Sequence, residues 1–367
     1  MSKSPKKDRM SNIELLRIFA IMGVIILHYN NSEIGGGIAF AEPKRINLYF
    51  LYLFESLSIC AVDLFYMISG YFMTNSYERR IKKPMQLLIQ VVLFNLLWYL
   101  ISGIRHSDVI TIKGIIGRMI PANYFVIFYC VIWFLSPYIN KLMDVISVKE
   151  SRKMIILLGA IFSVYCTIVQ GASNFIGDQI IGLDSIGMYG SQNGYNIVNF
   201  MFVYMIGAYI RRYYDTKTTE IRKLLYMFMV NTAIITAWSI LERELFQTLN
   251  ATTTAWIYCN PLVILNAALL LMIFVKLDFG VNRLINWFSS GVFSVFLLHG
   301  YFITHIGIEK AVRSNVLLMI MHMVLSTICI FVICTIVDHC YKKISKPILD
   351  AILNRFDPEI VNLKDLS

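Results

Sequence analysis

The chain contains about ten apolar runs, each close to 20 residues long and separated from the next by a short polar segment. About 20 apolar residues are needed for a helix to cross a bilayer, and a backbone in lipid must satisfy its hydrogen bonds internally. The runs therefore predict an all-α fold, a polytopic bundle of about ten transmembrane helices. They lie at 12–30, 47–75, 84–104, 121–141, 154–171, 195–212, 223–241, 257–275, 284–308 and 315–341.

The composition agrees with this prediction. Hydrophobic residues make up 57% of the 367 residues and charged residues only 15%, which leaves too little polar surface to cover a water-soluble globule. The net charge of +10 is explained by basic residues beside cytoplasmic helix ends, where anionic lipids attract them. We therefore expect the lipid bilayer as a partner and no nucleic acid.

The basic residues also predict the orientation. With the N-terminus in the cytoplasm, 24 of the 33 Lys and Arg fall in cytoplasmic segments and eight in outer segments, and the longest outer segment, 172–194, has none. Cytoplasmic loops of membrane proteins are enriched in Lys and Arg. The sequence thus predicts a multi-pass protein of the cell membrane with both termini in the cytoplasm.

Two ionisable side chains, Arg17 and His28, lie inside the first apolar run. They are eleven positions apart, so on one helix they share nearly the same face at an axial distance of roughly 16 Å. Ionisable groups are costly at bilayer depth and are usually functional there. This pair is the first candidate site.

Asp63 lies near the middle of the second apolar run, where a carboxylate must be paired, neutral or in contact with water. A pairing with His28 would fix the imidazole tautomer and raise its basicity, as the carboxylate of a catalytic triad does. The alternative is a structural role, in which Asp63 anchors two helices through hydrogen bonds. Ser69-Gly70 in the same run permits close helix approach.

These residues resemble the motifs of membrane-bound acyltransferase family 3. That family has an arginine followed after ten residues by a histidine, which is the spacing of Arg17 and His28. Residues 62–72, VDLFYMISGYF, are similar to its V-D-x-F-F-x-x-S-G-F segment. The resemblance continues in order along the chain. Residues 78–84 form a basic run that ends in proline, although the run is lysine-rich here. The later matching segments are 129–140, which contains a tryptophan, 202–212, which contains a glycine, and 289–301, which has a histidine near its end.

The resemblance implies an integral membrane O-acyltransferase. Such an enzyme would transfer an acyl group, most often acetyl, from acyl-CoA to a hydroxyl of a cell-surface polysaccharide or lipid-linked glycan. Residues 1–345 would form the transmembrane acyltransferase domain and 346–367 a short cytoplasmic amphipathic tail. Acetyl-CoA or another acyl-CoA would be a donor substrate, with no tightly bound cofactor and no metal.

The resemblance also suggests roles for the candidate residues. His28 would be the general base that takes the proton of the acceptor hydroxyl, because a histidine titrates near neutral pH, with Asp63 assisting it. Charge-assisted hydrogen bonds would hold the diphosphate of the donor. The donor-binding candidates are Arg17, Arg79, Arg80, Lys82 and Lys83.

Other interpretations stay open on the sequence alone. His299 fits an interfacial or packing role as well as contact with the acceptor. A transporter or flippase would also explain ionisable residues in the membrane, and a non-catalytic scaffold is a third class. Only an acyltransferase would transfer label from acetyl-CoA to a glycan.

Overall fold

The computed structural model describes residues 10–106, 110–177, 194–246 and 253–364. These residues are almost wholly helical, with two short strands, which confirms the all-α prediction. They divide into two compact units. The first is formed from Met1–Phe72 and Ser147–Ile336, and the second from Met73–Ile146 and Val337–Ser367.

The helices of the first unit carry most of the candidate residues. They are α1 (Ser11–Asn30), α2 (Gly37–Phe40), α3 (Ile46–Ser58), α4 (Ala61–Met73), α8 (Val148–Gly159), which continues through a π-helical turn (Ala160–Tyr165) into α9 (Cys166–Ile176), α10 (Ile197–Tyr213), α11 (Ile221–Phe246), α12 (Pro261–Lys276), α13 (Arg283–Ser289), α14 (Val292–Ile303) and α15 (Ile308–Val312). The second unit holds β1 (Glu78–Arg80), α5 (Lys82–His106), α6 (Ile112–Met119), α7 (Tyr124–Val145), the end of α16 (Val316–Leu353) and β2 (Glu359–Asn362).

Eight helical segments in the described part of the chain are long and apolar enough to cross a membrane. Two of the predicted spans have a different form. The span at 195–212 is α10, which has 17 residues, and the span at 284–308 is interrupted between α13 and α14 at Ser290-Gly291. A Cβ on Gly291 would lie 2.9 Å from Thr335 Cγ2, so α16 approaches this break closely.

Two glycines allow α4 and α10 to cross at backbone contact. A Cβ added to Gly70 would lie 2.0 Å from the carbonyl oxygen of Tyr204, and one added to Gly207 would lie 2.0 Å from that of Met67. Both distances are far inside van der Waals contact, so only glycine fits at either position. The close approach predicted for Ser69-Gly70 is therefore present at Gly70, and it sets the distance between the helices that carry Asp63 and Asn199.

The N-terminal end of α1 is anchored by side chains rather than by a capping residue of its own. Ser11 Oγ donates to Asn286 Oδ1 at 3.1 Å, and Asn12 Nδ2 donates to the carbonyl of Phe274 at 2.8 Å. Glu14, which is buried, accepts a hydrogen bond from Ser289 Oγ. These contacts tie α1 to the end of α12 and to α13, and so hold in place the helix that carries Arg17 and His28.

In the second unit, the basic run at 78–84 is divided between a strand and a helix, because Glu78–Arg80 form β1 and Lys82 begins α5. β1 pairs antiparallel with β2, with Glu78 opposite Asn362 and Arg79 opposite Val361. The tail predicted at 346–367 begins as a continuation of α16, which runs through Pro347 to Leu353, and then supplies β2.

Candidate active site

His28 lies near the C-terminal end of α1 and contacts a second histidine. His299 Nε2 is 2.7 Å from His28 Nδ1, and the ring centroids are 4.7 Å apart. The two residues are 271 positions apart in the chain and come from α1 and α14. The structure therefore assembles an imidazole pair from the first and last thirds of the sequence.

The two rings differ in exposure. His299 is only 4% exposed, and its Nδ1 lies 2.9 Å from the carbonyl oxygen of Val295, one turn earlier on α14. His28 is half-buried and keeps part of its surface accessible. Of the pair, His28 is thus the more exposed residue.

A glycine-rich loop closes the end of α1 beside His28. The amide of Gly35 donates to the carbonyl of His28 at 3.0 Å, which satisfies one of the acceptors that a helix leaves at its C-terminal end. A Cβ on Gly35 would lie 2.3 Å from the carbonyl oxygen of Tyr29. The loop can lie this close to the helix end because position 35 has no side chain.

Asp63 is fully buried, and its hydrogen-bond partner is Asn199 on α10. Asn199 Nδ2 donates to Asp63 Oδ1 at 3.3 Å, while Asp63 Oδ2 and Asn199 Oδ1 have no hydrogen-bond partner within the described residues. The pairing of Asp63 with His28 considered from the sequence is not formed in this structure. The contact of Asp63 is the kind expected of its alternative role, a link between two helices.

Arg17 forms an ion pair on its own helix. Arg17 Nη1 lies 3.0 Å from Glu14 Oε1, and the guanidinium carbon lies 5.3 Å from the centre of the Phe72 ring. The side chain remains one-third exposed, and it makes no other hydrogen bond within the described part of the chain. Its planar guanidinium is therefore held in place with further N–H groups available to an anion.

A family model described as an acyltransferase domain matches residues 10–339. The chain belongs to acyltransferase family 3. The match covers most of the chain and includes Arg17, His28, Asp63 and His299, whereas β2 lies beyond it. No curated protein and no solved structure matched the chain.

For this acyltransferase, the structure separates the basic residues that sequence reasoning had grouped together. Arg79 is 2% exposed, and its Nε donates to the carbonyl of Trp133 and to Ser136 Oγ, both at 3.0 Å. Its guanidinium also lies over the Trp133 ring, 4.9 Å from the ring centre. Arg79 therefore stabilises the second unit, and we no longer expect it to bind the donor.

The neighbouring basic residues Arg80 and Lys82 are less buried than Arg79, and each has an acidic partner. Arg80 Nε lies 3.0 Å from Glu78 Oε1, and Lys82 Nζ lies 2.9 Å from Asp350 Oδ1. Lys364 also pairs with Glu78. Hydrogen bonds from Lys364 and then from Arg80 hold the pKa of Glu78 below its ordinary value, because they favour the charged carboxylate. Lys83 is exposed, so Arg80, Lys82 and Lys83 remain candidates for anion binding.

Sequence reasoning left the role of His299 open, and its pairing with His28 is the main addition of the structure. The sequence signals were a histidine inside an apolar run, which needs a polar partner, and its place in the family-like segment 289–301. Within the described residues, no group of three or more His, Cys, Asp or Glu side chains is placed to hold a metal ion. The predicted outer segment at 172–194 and the basic residues before position 10 fall largely outside the described residues.

Proposed function

We propose that this membrane acyltransferase moves an acetyl group from acetyl-CoA to a hydroxyl of a cell-surface polysaccharide or lipid-linked glycan. The observation that carries the proposal is the half-buried imidazole of His28, supported by His299 near the end of a membrane-spanning helix. A polar pair of this kind is costly in lipid, and ionisable residues within membrane helices usually serve a function.

The chemistry needs one positioned base. A sugar hydroxyl is a weak nucleophile until its proton is removed as the oxygen attacks the thioester carbonyl. His28 would take that proton while the new C–O bond forms. The tetrahedral intermediate then collapses, the C–S bond breaks, and the CoA thiolate leaves and takes up a proton. The products are the O-acetylated glycan and CoA, and His28 returns to its neutral form.

The spacing along α1 suits a donor that enters from the cytoplasm. Arg17 lies roughly 16 Å from His28 along the helix axis, toward the N-terminal end of α1. The pantetheine arm of CoA is a long, flexible chain that separates the diphosphate from the thioester. Arg17 would bind the diphosphate through charge-assisted hydrogen bonds while the thioester reaches the imidazole.

The less buried residues of the basic run are the other candidates for the diphosphate. Arg80 and Lys82 already have carboxylate partners, so an anion must compete with Glu78 and Asp350 there. Donor affinity distinguishes the two possibilities. Arg17→Lys keeps the charge but loses the planar fork, so acetyl-CoA should bind more weakly if Arg17 holds the diphosphate. Unchanged affinity in Arg17→Lys and reduced affinity in Arg80→Gln would move the donor to the basic run.

The cellular setting follows from the charge asymmetry. We propose the cell membrane, with both termini in the cytoplasm, because 24 of the 33 basic residues then face that side. In this orientation, His28 lies toward the outer leaflet, where an envelope glycan is available as the acceptor.

The direct test is mass spectrometry of surface polysaccharides and glycolipids from cells with the gene, without it, and with the His28→Gln variant. We expect one component to lose the mass of an acetyl group in the deletion and in His28→Gln, and to regain it with the wild-type gene. A component that changes location but not mass would indicate a transporter or flippase instead and would refute the proposal.

A further inference from the structure

The hydrogen bonds around the histidine pair have a defined direction. A neutral imidazole has one N–H donor and one nitrogen lone pair, and a carbonyl oxygen can only accept. His299 Nδ1 lies 2.9 Å from the carbonyl oxygen of Val295, so this nitrogen carries the hydrogen. The other nitrogen of His299, Nε2, is then the lone-pair acceptor.

This direction determines the state of His28. His299 Nε2 is 2.7 Å from His28 Nδ1, a distance at which one nitrogen donates and the other accepts. Because His299 Nε2 is the acceptor, His28 Nδ1 carries the hydrogen. His28 Nε2 is therefore left with its lone pair, on the more exposed histidine of the pair. The opposite arrangement would place the lone pair of His299 Nδ1 against the carbonyl oxygen of Val295.

We infer that His299 is a positioning residue that holds His28 in the tautomer with an unprotonated Nε2, ready to take the acceptor proton. The inference rests on the proposed function, and it assigns to a neutral imidazole the task that a carboxylate has in a catalytic triad. Once His28 takes the proton, its Nδ1–H becomes a stronger, charge-assisted donor to His299. A neutral partner also avoids burying a second charge at membrane depth.

The burial of the two rings supports this division of roles. His299, at 4% exposed, is enclosed and uses both nitrogens within the protein. His322 provides a comparison. Its Nε2 lies 2.9 Å from the carbonyl of Ile306 and its Nδ1 lies 3.0 Å from Tyr29 Oη, so it is also held by a backbone carbonyl but does not bond to His28.

The test is nitrogen NMR of ¹⁵N-histidine-labelled full-length protein in lipid, where protonated and unprotonated ring nitrogens give separate resonances. The His28 signals are assigned by their loss in His28→Gln. In the wild type we expect His28 Nδ1 protonated and Nε2 unprotonated. In His299→Phe the hydrogen should redistribute between the two nitrogens, whereas the matched control His322→Gln should leave the His28 signals in place.

Kinetics provide the second measurement. In metal sites, loss of the partner that orients a ligating histidine typically costs about 10–100-fold, and we take this range for His299. In His299→Phe we expect kcat to fall by that factor with the KM for acetyl-CoA unchanged. His299→Gln should recover part of the rate, because its side-chain carbonyl can accept from His28 Nδ1. Melting temperatures of all variants show that the folded protein is being compared.

The outcomes distinguish the inference from the proposed function. A wild-type His28 with an unprotonated Nδ1, or His28 signals unchanged in folded His299→Phe, would overturn the positioning role whether or not acyl transfer is detected. If the wild type transfers no acyl group, the proposed function fails, but the NMR result still decides how His299 acts on His28.

Discussion

Substitution of Gly207 by alanine should loosen the crossing of α4 and α10. The added Cβ would lie 2.0 Å from the carbonyl oxygen of Met67, whereas ordinary contact begins at 3.4 Å. The two helices must therefore separate by about 1.4 Å at this point. Rotation of a side chain cannot relieve the clash, because the opposing atom belongs to the backbone.

The cost can be worked out from this displacement. A gap of about 0.5–1 Å already removes a quarter to a half of a van der Waals contact, so the stack of Tyr66 on Phe200, with ring centroids 4.1 Å apart, is weakened. The 3.3 Å hydrogen bond from Asn199 to Asp63 has little room to lengthen. Overpacking typically costs about 1–3 kcal/mol, and alanine returns less than about 1 kcal/mol in helix propensity. With a net loss of about 2 kcal/mol, we expect the melting temperature of the 367-residue chain to fall by about 3 °C.

The measurement is thermal unfolding of detergent-solubilised protein, with Gly70→Ala as the reciprocal variant and Gly171→Ala as the control. A Cβ on Gly171 would meet only Thr254 Cγ2, at 3.9 Å, so this variant should be as stable as the wild type or slightly more so. If Gly207→Ala and Gly70→Ala unfold at the wild-type temperature, the backbone contact between α4 and α10 is not present and the reasoning is wrong.

Three further predictions concern side chains whose environments the structure defines. Arg79→Lys should lower the melting temperature, because the variant loses the hydrogen bonds to Trp133 and Ser136, but it should leave the affinity for acetyl-CoA unchanged. Calorimetric titration that shows weaker acetyl-CoA binding in a fully stable variant would contradict this. Because the pKa of Glu78 is lowered in the folded state, the stabilisation provided by its charged carboxylate is present at neutral pH and is lost as the pH falls below about 4.5. The protection of the β2 amides from hydrogen exchange, measured relative to the unprotected rate at the same pH, should then fall in the wild type and be much less pH-dependent in Glu78→Gln. Asp63→Asn should retain partial acyl transfer, because Asp63 does not bond to His28 and asparagine keeps an acceptor for Asn199. Complete loss of activity with an intact fold would show that the Asp63 carboxylate takes part in the reaction.

Most of the helices could be predicted from the length of the apolar runs, because the bilayer imposes that length. The interruption of the span at 284–308 was harder to predict from the sequence. Its signal is Ser290-Gly291, but a glycine in an apolar run marks a break only when a neighbouring helix approaches closely, as α16 does through Thr335. Such an approach is a tertiary contact, which hydropathy does not encode.

The candidate site shows the same limit. The spacing of Arg17 and His28 is local and could be recognised, whereas the contact of His28 with His299 joins positions 271 apart. In the basic run, consecutive charges were taken as one patch. Successive side chains of a strand point to opposite faces, so Arg79 turns inward and Arg80 outward. Charge alone could not predict that difference.

Acyl transfer by purified protein tests whether His28 is the base. Radiolabelled acetyl-CoA and the glycan identified by mass spectrometry are supplied to the wild type, to His28→Gln and to His305→Gln, whose imidazole is exposed. His28→Gln keeps hydrogen bonding and bulk but cannot take the proton, so its rate should fall by about 10²–10⁴-fold while acetyl-CoA binding and the melting temperature are retained. His305→Gln should transfer label at the wild-type rate. Full turnover by His28→Gln would show that His28 is not the general base.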